Sequence, residues 1–387
     1  MSVPRRRASA ARAPARIERA IERGTIERGA AELTLTAANA AAPGGETPLP
    51  AASIGLRHVA QAAGVSTATV SRAINRPEVV SADLRARIAA AVKQLGWVPD
   101  GAARALTTGR SHTIGAVFPT LSAGDFARAT QAVQAELLSA GYTLLLACSE
   151  YDPDQELSQV RKFIERGVDG VILVGQAHHP DLAPLLARRG MPHVNTFVYD
   201  PLTHGTCVGP DNRKALMSMT DHLADLGHVR FAVIAQSIRN NDRSSARLDG
   251  IRDALAMRGL AVRPQHFAIG EWTIEEGRSL FRQVIAAEPR PTAIICGNAH
   301  LTVGAMLEAL AMGIRVPDDV SVVGYDDIEL MSHLPVPVTT VRVPGQDIGR
   351  TAAQVLVARL EGRAVDVPLE SQAEIVVRAS SGPPPRR

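Results

Sequence analysis

Beyond residue 112 the chain alternates short runs of aliphatic and β-branched residues with segments of helical spacing, and this alternation most limits what it can fold into. Ile114–Phe118, Thr143–Ala147, Val171–Val174 and His193–Asn195 read as strands. After Gly209-Pro210-Asp211 a second series follows, with Phe231–Ile234, Phe267–Ile269, Ala293–Cys296 and Val320–Gly324. Strands that alternate with helices build parallel sheets covered by helices. Two successive series predict two similar α/β lobes, with ligands expected at the carboxyl ends of the strands.

The front of the chain is different. From 53 to about 98 the apolar spacing is helical: Leu56, Val59, Ala60 and Ala63 share one face, and Gly64 ends that helix. Ser66 is a good N-cap for a second helix over 67–75, whose inward residues are Val70, Ala73 and Ile74. Pro77 prevents its continuation. Ser81 is expected to cap a third helix lined by Leu84, Ile88, Val92 and Leu95, with Asp83 in its first turn. Two short helices joined through a glycine turn set the second across the first, so that it can enter a major groove. Its positions outside the core, Thr67, Ala68, Ser71, Arg72 and Asn75, are small or hydrogen-bonding, where Glu and Lys would solvate an ordinary helix.

Charge follows the same division. Residues 1–110 hold sixteen Lys and Arg against eight Asp and Glu, a net +8, which leaves 26 against 31, or −5, for the remainder. A basic head on an acidic body suits a protein whose head alone touches a polyanion. Residues 1–52, with a loose Ile-Glu-Arg repeat and a Pro/Gly-rich end, read as a low-complexity tail with too few large apolar residues to pack. No run approaches the roughly 18–20 apolar residues of a membrane span, and no apolar segment follows the N-terminal arginines as in a signal peptide. Cys148, Cys207 and Cys296 lack metal-ligand spacing and read as reduced thiols, so a cytoplasmic address is expected.

The run from Val59 to Arg72, with Asn75 and Val80-Ser81, resembles the headpiece of the lactose-repressor family of bacterial transcription regulators, and the resemblance extends over roughly 53–380. It implies a three-helix helix-turn-helix DNA-binding domain over 53–98, a hinge over 99–111, and a two-lobed periplasmic-binding-protein-like domain over 112–387. In that family Thr67 and Ala68 occupy the base-discriminating positions and Arg72 also reaches the major groove. Ser66, Thr69, Ser71, Asn75 and Ser81 orient the module, largely through phosphates. Ala68 can offer only apolar contact, for example to a thymine methyl. Pro99 to Leu106 matches a hinge that becomes helical on the operator and enters the minor groove, where Ala102 and Ala103 allow close approach and Leu106 is an apolar wedge. An inert linker is the plainer alternative.

For the body, the resemblance implies a small-molecule effector between the lobes. Arg247 stands where relatives place an arginine on the effector, Trp272 matches an aromatic lying against it, and Asp125 and Phe126 match contacts from the first lobe. Asn241, Arg243 and Asn298 are further candidates. Relatives commonly read Asn-Asp after the glycine at 297, whereas Ala299 here replaces that carboxylate. Loss of a negative charge near Arg243 and Arg247 makes an acidic effector tolerable, so a sugar acid or small organic acid is expected. His300 and the pair His178-His179 are read as structural or solvent-facing. The implied assembly is a homodimer on a near-palindromic operator, probing no membrane and carrying no cofactor. A free-standing solute-binding protein would share the lobes but not the basic head. An enzyme is disfavoured because no nucleophile elbow, phosphate loop, dinucleotide fingerprint or metal cluster is found.

Overall fold

The computed structural model describes residues 54–203, 207–365 and 367–386, so the tail reading for 1–52 lies outside the described residues. The chain divides into two compact units between Trp97 and Val98.

The first unit is three helices, α1 (Leu56–Ala63), α2 (Thr67–Asn75) and α3 (Ala82–Leu95). Gly64 ends α1 in the left-handed conformation at φ 64°, which only a residue without Cβ adopts freely. Ser66 Oγ accepts from the Thr69 amide and starts α2. Ser81 stands before α3 but its side chain makes no capping bond, a departure from the sequence expectation; Asp83 in the first turn supplies the favourable charge instead. Val59, Ala60, Ala63, Val70, Ile88 and Ala91 form the small core. The Arg87 guanidinium donates to the Ala63 carbonyl at 2.7 Å and fixes the α1–α2 turn against α3.

The second unit opens with α4 (Gly101–Thr108). The family resemblance makes this helix conditional on DNA, yet the single chain carries it here. Eight residues with Leu106 89% exposed gain little from packing, and isolated helices of this length are marginal in water. The side chain of Ala103 lies outside the described part.

Two parallel sheets follow. The first lobe has strand order β2-β1-β3-β4-β5, from β1 (Thr113–Phe118), β2 (Thr143–Cys148), β3 (Gly170–Val174), β4 (His193–Thr196) and β5 (Cys207–Val208). The second has order β11-β10-β9-β8-β6-β7, from β6 (Phe231–Gln236), β7 (Phe267–Gly270), β8 (Ala293–Cys296), β9 (Ser321–Tyr325), β10 (Thr339–Arg342) and β11 (Glu374–Val376). Among the described strands only β11 runs antiparallel to its neighbour. The covering helices of the first lobe include α5 (Gly124–Ser139), α6 (Pro153–Glu165) and α7 (Leu182–Arg189). Those of the second include α8 (Asn212–Asp225), α9 (Asp242–Met257), α10 (Ile274–Ala286), α11 (Ala299–Ala311) and the short α12 (Glu329–His333). α13 (Gly345–Leu360) leaves the second sheet and returns to the first lobe, where Gly349 lies so close to α5 that a Cβ would stand 2.2 Å from the Ala129 carbonyl oxygen.

The lobes are thus joined by three crossings: 208 to 212, 342 to 345, and the return after α13. The first and third pair with each other, since the Gly209 amide donates to the Leu369 carbonyl and the Ser371 amide to the Gly209 carbonyl. Among the described residues no helix is long and apolar enough to cross a membrane.

In the second lobe α10 and α11 touch backbone to backbone: a Cβ on Gly304 would lie 2.2 Å from the Ile274 carbonyl oxygen. Both chains there are main chain, so nothing can swing aside. Gly304→Ala is expected to destabilise the second unit by about 1–3 kcal/mol. Thermal unfolding followed by circular dichroism checks this; an unchanged midpoint would show that the helices separate freely.

Candidate functional site

The carboxyl ends of the strands of both lobes meet around one cavity of about 640 Å³, part of it open to solvent. Asp125, Phe126, Asn241, Arg243, Arg247, Trp272 and Asn298, the seven residues singled out from the sequence, all line it. They come from four places: the start of α5, the start of α9, the segment after β7, and the start of α11.

Arg247 is 8% exposed and stands over the Tyr325 ring, with its guanidinium carbon 4.4 Å from the ring centroid. One Nη donates to Asn212 Oδ1 and the other to Ser244 Oγ, each at 3.2 Å. Its Nε is buried with no acceptor among the described residues. Such a donor is costly to leave unmet, about 1–3 kcal/mol, unless a ligand supplies the missing oxygen. The Tyr325 hydroxyl donates to the same Asn212 oxygen at 2.9 Å, and burial raises its pKa, so it stays a neutral donor.

Arg243 is equally buried but is engaged by Asp242 at 2.9 Å, and it crowds the Gly175 backbone of the first lobe. Beside it, the Gln176 amide donates to Asp242 Oδ2 at 2.9 Å, a direct bond between the lobes. Asn241 and Asn298 line the cavity while serving as N-caps: each side-chain oxygen accepts an amide, from Ser244 and Leu301 respectively. The Asn298 amide group also donates to Gln236 Oε1. Their hydrogen-bonding capacity is therefore largely spent on the protein, which the sequence does not reveal.

The aromatic lining comes from both lobes. Trp272 stands edge-on to His300 at 5.5 Å between centroids and 6.5 Å from Tyr151 of the first lobe. Phe126 meets Phe197 edge-on at 4.8 Å. His300 thus lines the cavity instead of facing solvent, and burial lowers its pKa so that it rests neutral. His178 is likewise not solvent-facing: its Nδ1 lies 2.8 Å from Glu156 Oε2. Burial alone would depress its pKa, but the bond to Glu156 and that carboxylate's charge raise it. Of the thiols, Cys207 and Cys296 are buried and Cys148 half-buried; burial pushes the Cys296 thiol up to about 12.

Sequence reasoning missed Asn212, Tyr151, Tyr325 and above all Asp326. Asp326 follows β9 in the left-handed conformation, φ 69°, and lines the cavity with Asp125 from the other lobe. No clear pairing of carboxylates is visible in the sequence; the fold supplies one. The signal available was Gly324-Tyr325-Asp326-Asp327, which shows two acids without indicating which one turns inward. Asp327 is the structural partner. Burial works against its ionisation, but bonds from Arg378 and Arg342 outweigh that and hold its pKa below the usual range.

In the first unit α2 presents Thr67, Ala68, Arg72 and Asn75 exposed on one side, with Thr69 and Ser71 half-buried. Ser66 Oγ and Thr69 Oγ1 are 2.8 Å apart, and Asn75 Nδ2 donates to Ser71 Oγ at 3.3 Å, so these side chains hold one another in place. Ser81 is exposed at the start of α3.

Residues 55–100 match the family described as bacterial regulatory proteins, lacI family, and residues 220–381 match a periplasmic binding protein-like domain. The ribose operon repressor of Escherichia coli is 31% identical over 310 residues, covering 79% of this chain and 92% of that protein. The repressor PurR of Photobacterium profundum is 31% identical over 329 residues, covering 84% and 98%. Among solved structures, the lac repressor dimer bound to operator and the anti-inducer ONPF superposes with a TM-score of 0.75 at 26% identity, covering 85% of this chain and 99% of that one. A helix-turn-helix head with an exposed polar second helix, two α/β lobes around one polar cavity, and these similarities agree: the chain belongs to the lacI family of bacterial regulatory proteins, DNA-binding transcription repressors governed by a small-molecule effector.

Proposed function

We propose that this chain represses transcription in the cytoplasm as a homodimer, reading a near-palindromic operator with α2 and binding a sugar acid between its lobes. The single observation that carries the effector reading is the unmet Nε of Arg247, a buried cationic donor on a residue that lines the cavity together with Trp272. A guanidinium with a free edge suits a carboxylate through paired, charge-assisted bonds. Ala299 leaves that side of the cavity without the acid common in the family. Residues 53–98 would read DNA and 112–387 would bind effector and pair the subunits, with 99–111 between them.

The cavity also keeps Asp125 and Asp326, so an acid without hydroxyls would face carboxyls with nothing to donate. That favours a polyhydroxylated acid over a simple organic acid, its carboxylate toward Arg247 and its hydroxyls toward the aspartates. A neutral sugar is the second reading, favoured by those same aspartates. The repressors similar to this chain include one of a ribose operon, and a related solved structure is a complex with cellobiose.

Calorimetry with D-gluconate, D-glucuronate, D-ribose and D-glucose separates the two. Binding of at least one acid, weakened more than tenfold in Arg247→Lys, is expected, because a lysine cannot reproduce the planar paired geometry. Binding by neutral sugars alone would overturn the acid reading.

Selection of bound duplexes from a random pool tests the DNA reading. Thr67→Ala and Arg72→Ala should each erase discrimination at a defined base pair, about 1–3 kcal/mol per lost contact. Leu106→Ala should weaken binding to the selected duplex more than tenfold by removing the minor-groove wedge. Equal affinity of these variants and the parent for every duplex would refute the assignment.

A further inference from the structure

The two acids in the cavity face each other from opposite lobes. Asp125 enters from the start of α5 in the first lobe, 4% exposed, and Asp326 enters from the end of β9 in the second. One Asp125 oxygen bonds Arg128, while its Oδ2 is buried with no donor among the described residues. What lies within hydrogen-bonding reach is the Asp326 carboxyl. Two carboxylates cannot satisfy each other, because both only accept. One of them can do so by holding a proton.

We propose that Asp125 and Asp326 are a proton-bridged clasp between the lobes, and that the hydroxyls of an incoming effector take the place of the bridging proton. In the ligand-free closed cleft one proton, taken up from solvent, lies between the two carboxyls. A hydroxylated ligand donates one hydroxyl to each, both aspartates become anionic, and the proton returns to solvent. The clasp thus selects for ligands that carry two hydroxyl donors at the spacing of the two carboxyls. It also couples the lobe angle to pH.

The surroundings favour this. Burial disfavours ionisation of both groups, and the Asp125 charge further opposes that of Asp326, whereas the hydrogen bond from Asp326 eases ionisation of Asp125. The pair therefore keeps a proton above the usual carboxylate range and keeps it on Asp326. The charged groups facing the pair are Arg128 on α5, Arg247 on α9 and Asp327 beyond Asp326; Tyr325 stays neutral. Asp327 is taken up by Arg342 and Arg378, which leaves it no proton to offer. Arg128 draws Asp125 toward ionisation, so the proton is expected on Asp326. With the pKa raised in the closed state, the clasp is intact at low pH and is lost as pH rises through the pair's titration. Effector affinity runs the other way, rising with pH by up to tenfold per unit over that window for one displaced proton.

The ligand-free half can be tested without knowing the effector, since only that second half rests on the reading of the cavity as an effector site. The chain has two tryptophans, and Trp272 of the second lobe meets Tyr151 of the first. In a Trp97→Phe, His300→Gln full-length protein, Trp272 emission reports lobe separation free of the neighbouring imidazole. A transition is expected well above the ordinary carboxylate value of about 4. Asp125→Asn and Asp326→Asn, whose amides donate without titrating, should each abolish it and keep the low-pH emission at all pH values. A transition that persists in both variants, or its absence from the parent above about pH 5, overturns the clasp. Titration of D-gluconate in buffers of differing ionisation enthalpy then reads proton release on binding. If neither gluconate nor glucuronate binds, the acid-effector reading fails and the clasp stands on the emission data.

Discussion

A single buried amide holds the cavity together. Asn212 lies just past the first crossing between the lobes, and its Nδ2 donates to the Phe197 carbonyl of the first lobe at 3.0 Å. Its Oδ1 accepts both the Arg247 guanidinium and the Tyr325 hydroxyl of the second lobe. Both hydrogen bonds and the placement of Arg247 over Tyr325 therefore converge on one residue at the joint. Removing the amide would leave the buried Tyr325 phenol without its acceptor and the buried Arg247 cation with only Ser244, and groups of that kind are expensive to leave underpaired. The polarity of the cleft depends on this joint as much as on any residue that faces a ligand.

The head of the molecule depends on a different economy. With six buried residues in its core, the three-helix unit has little apolar area to spend, and short hydrogen bonds do part of the holding. Gly64, the Ser66 cap and the Arg87 bond to Ala63 together set the angle between α1 and α2. The exposed side of α2, with Thr67, Ala68 and Arg72, is free of that duty.

Much of this was legible from the residues, and the exceptions have physical causes. Strand alternation located eight of the strands because buried parallel strands are continuous aliphatic runs. It missed β5, which has two residues, and it missed β10 and β11, where Thr339 and Thr340 and the edge residue Glu374 break the aliphatic pattern. The candidate ligand residues converge on one cavity, but their hydrogen-bonding state could not be read. Asn241 and Asn298 turn out to cap helices, a role that depends on which way a side chain bends back. Asp326 escaped notice because only its left-handed backbone separates it from Asp327, whose partner Arg378 lies 51 residues away.

The return of α13 to the first lobe means that chain order and lobe membership do not coincide. Ile348, Ala352, Ala353 and Leu356, all fully buried, lie in one cluster with Ile114, Val133 and Leu137 of the first lobe. During synthesis the first lobe therefore waits for nearly all of the chain before its core closes, whereas the helical head is finished within the first hundred residues. A ribosome would display a complete DNA-reading module long before the cleft that governs it exists.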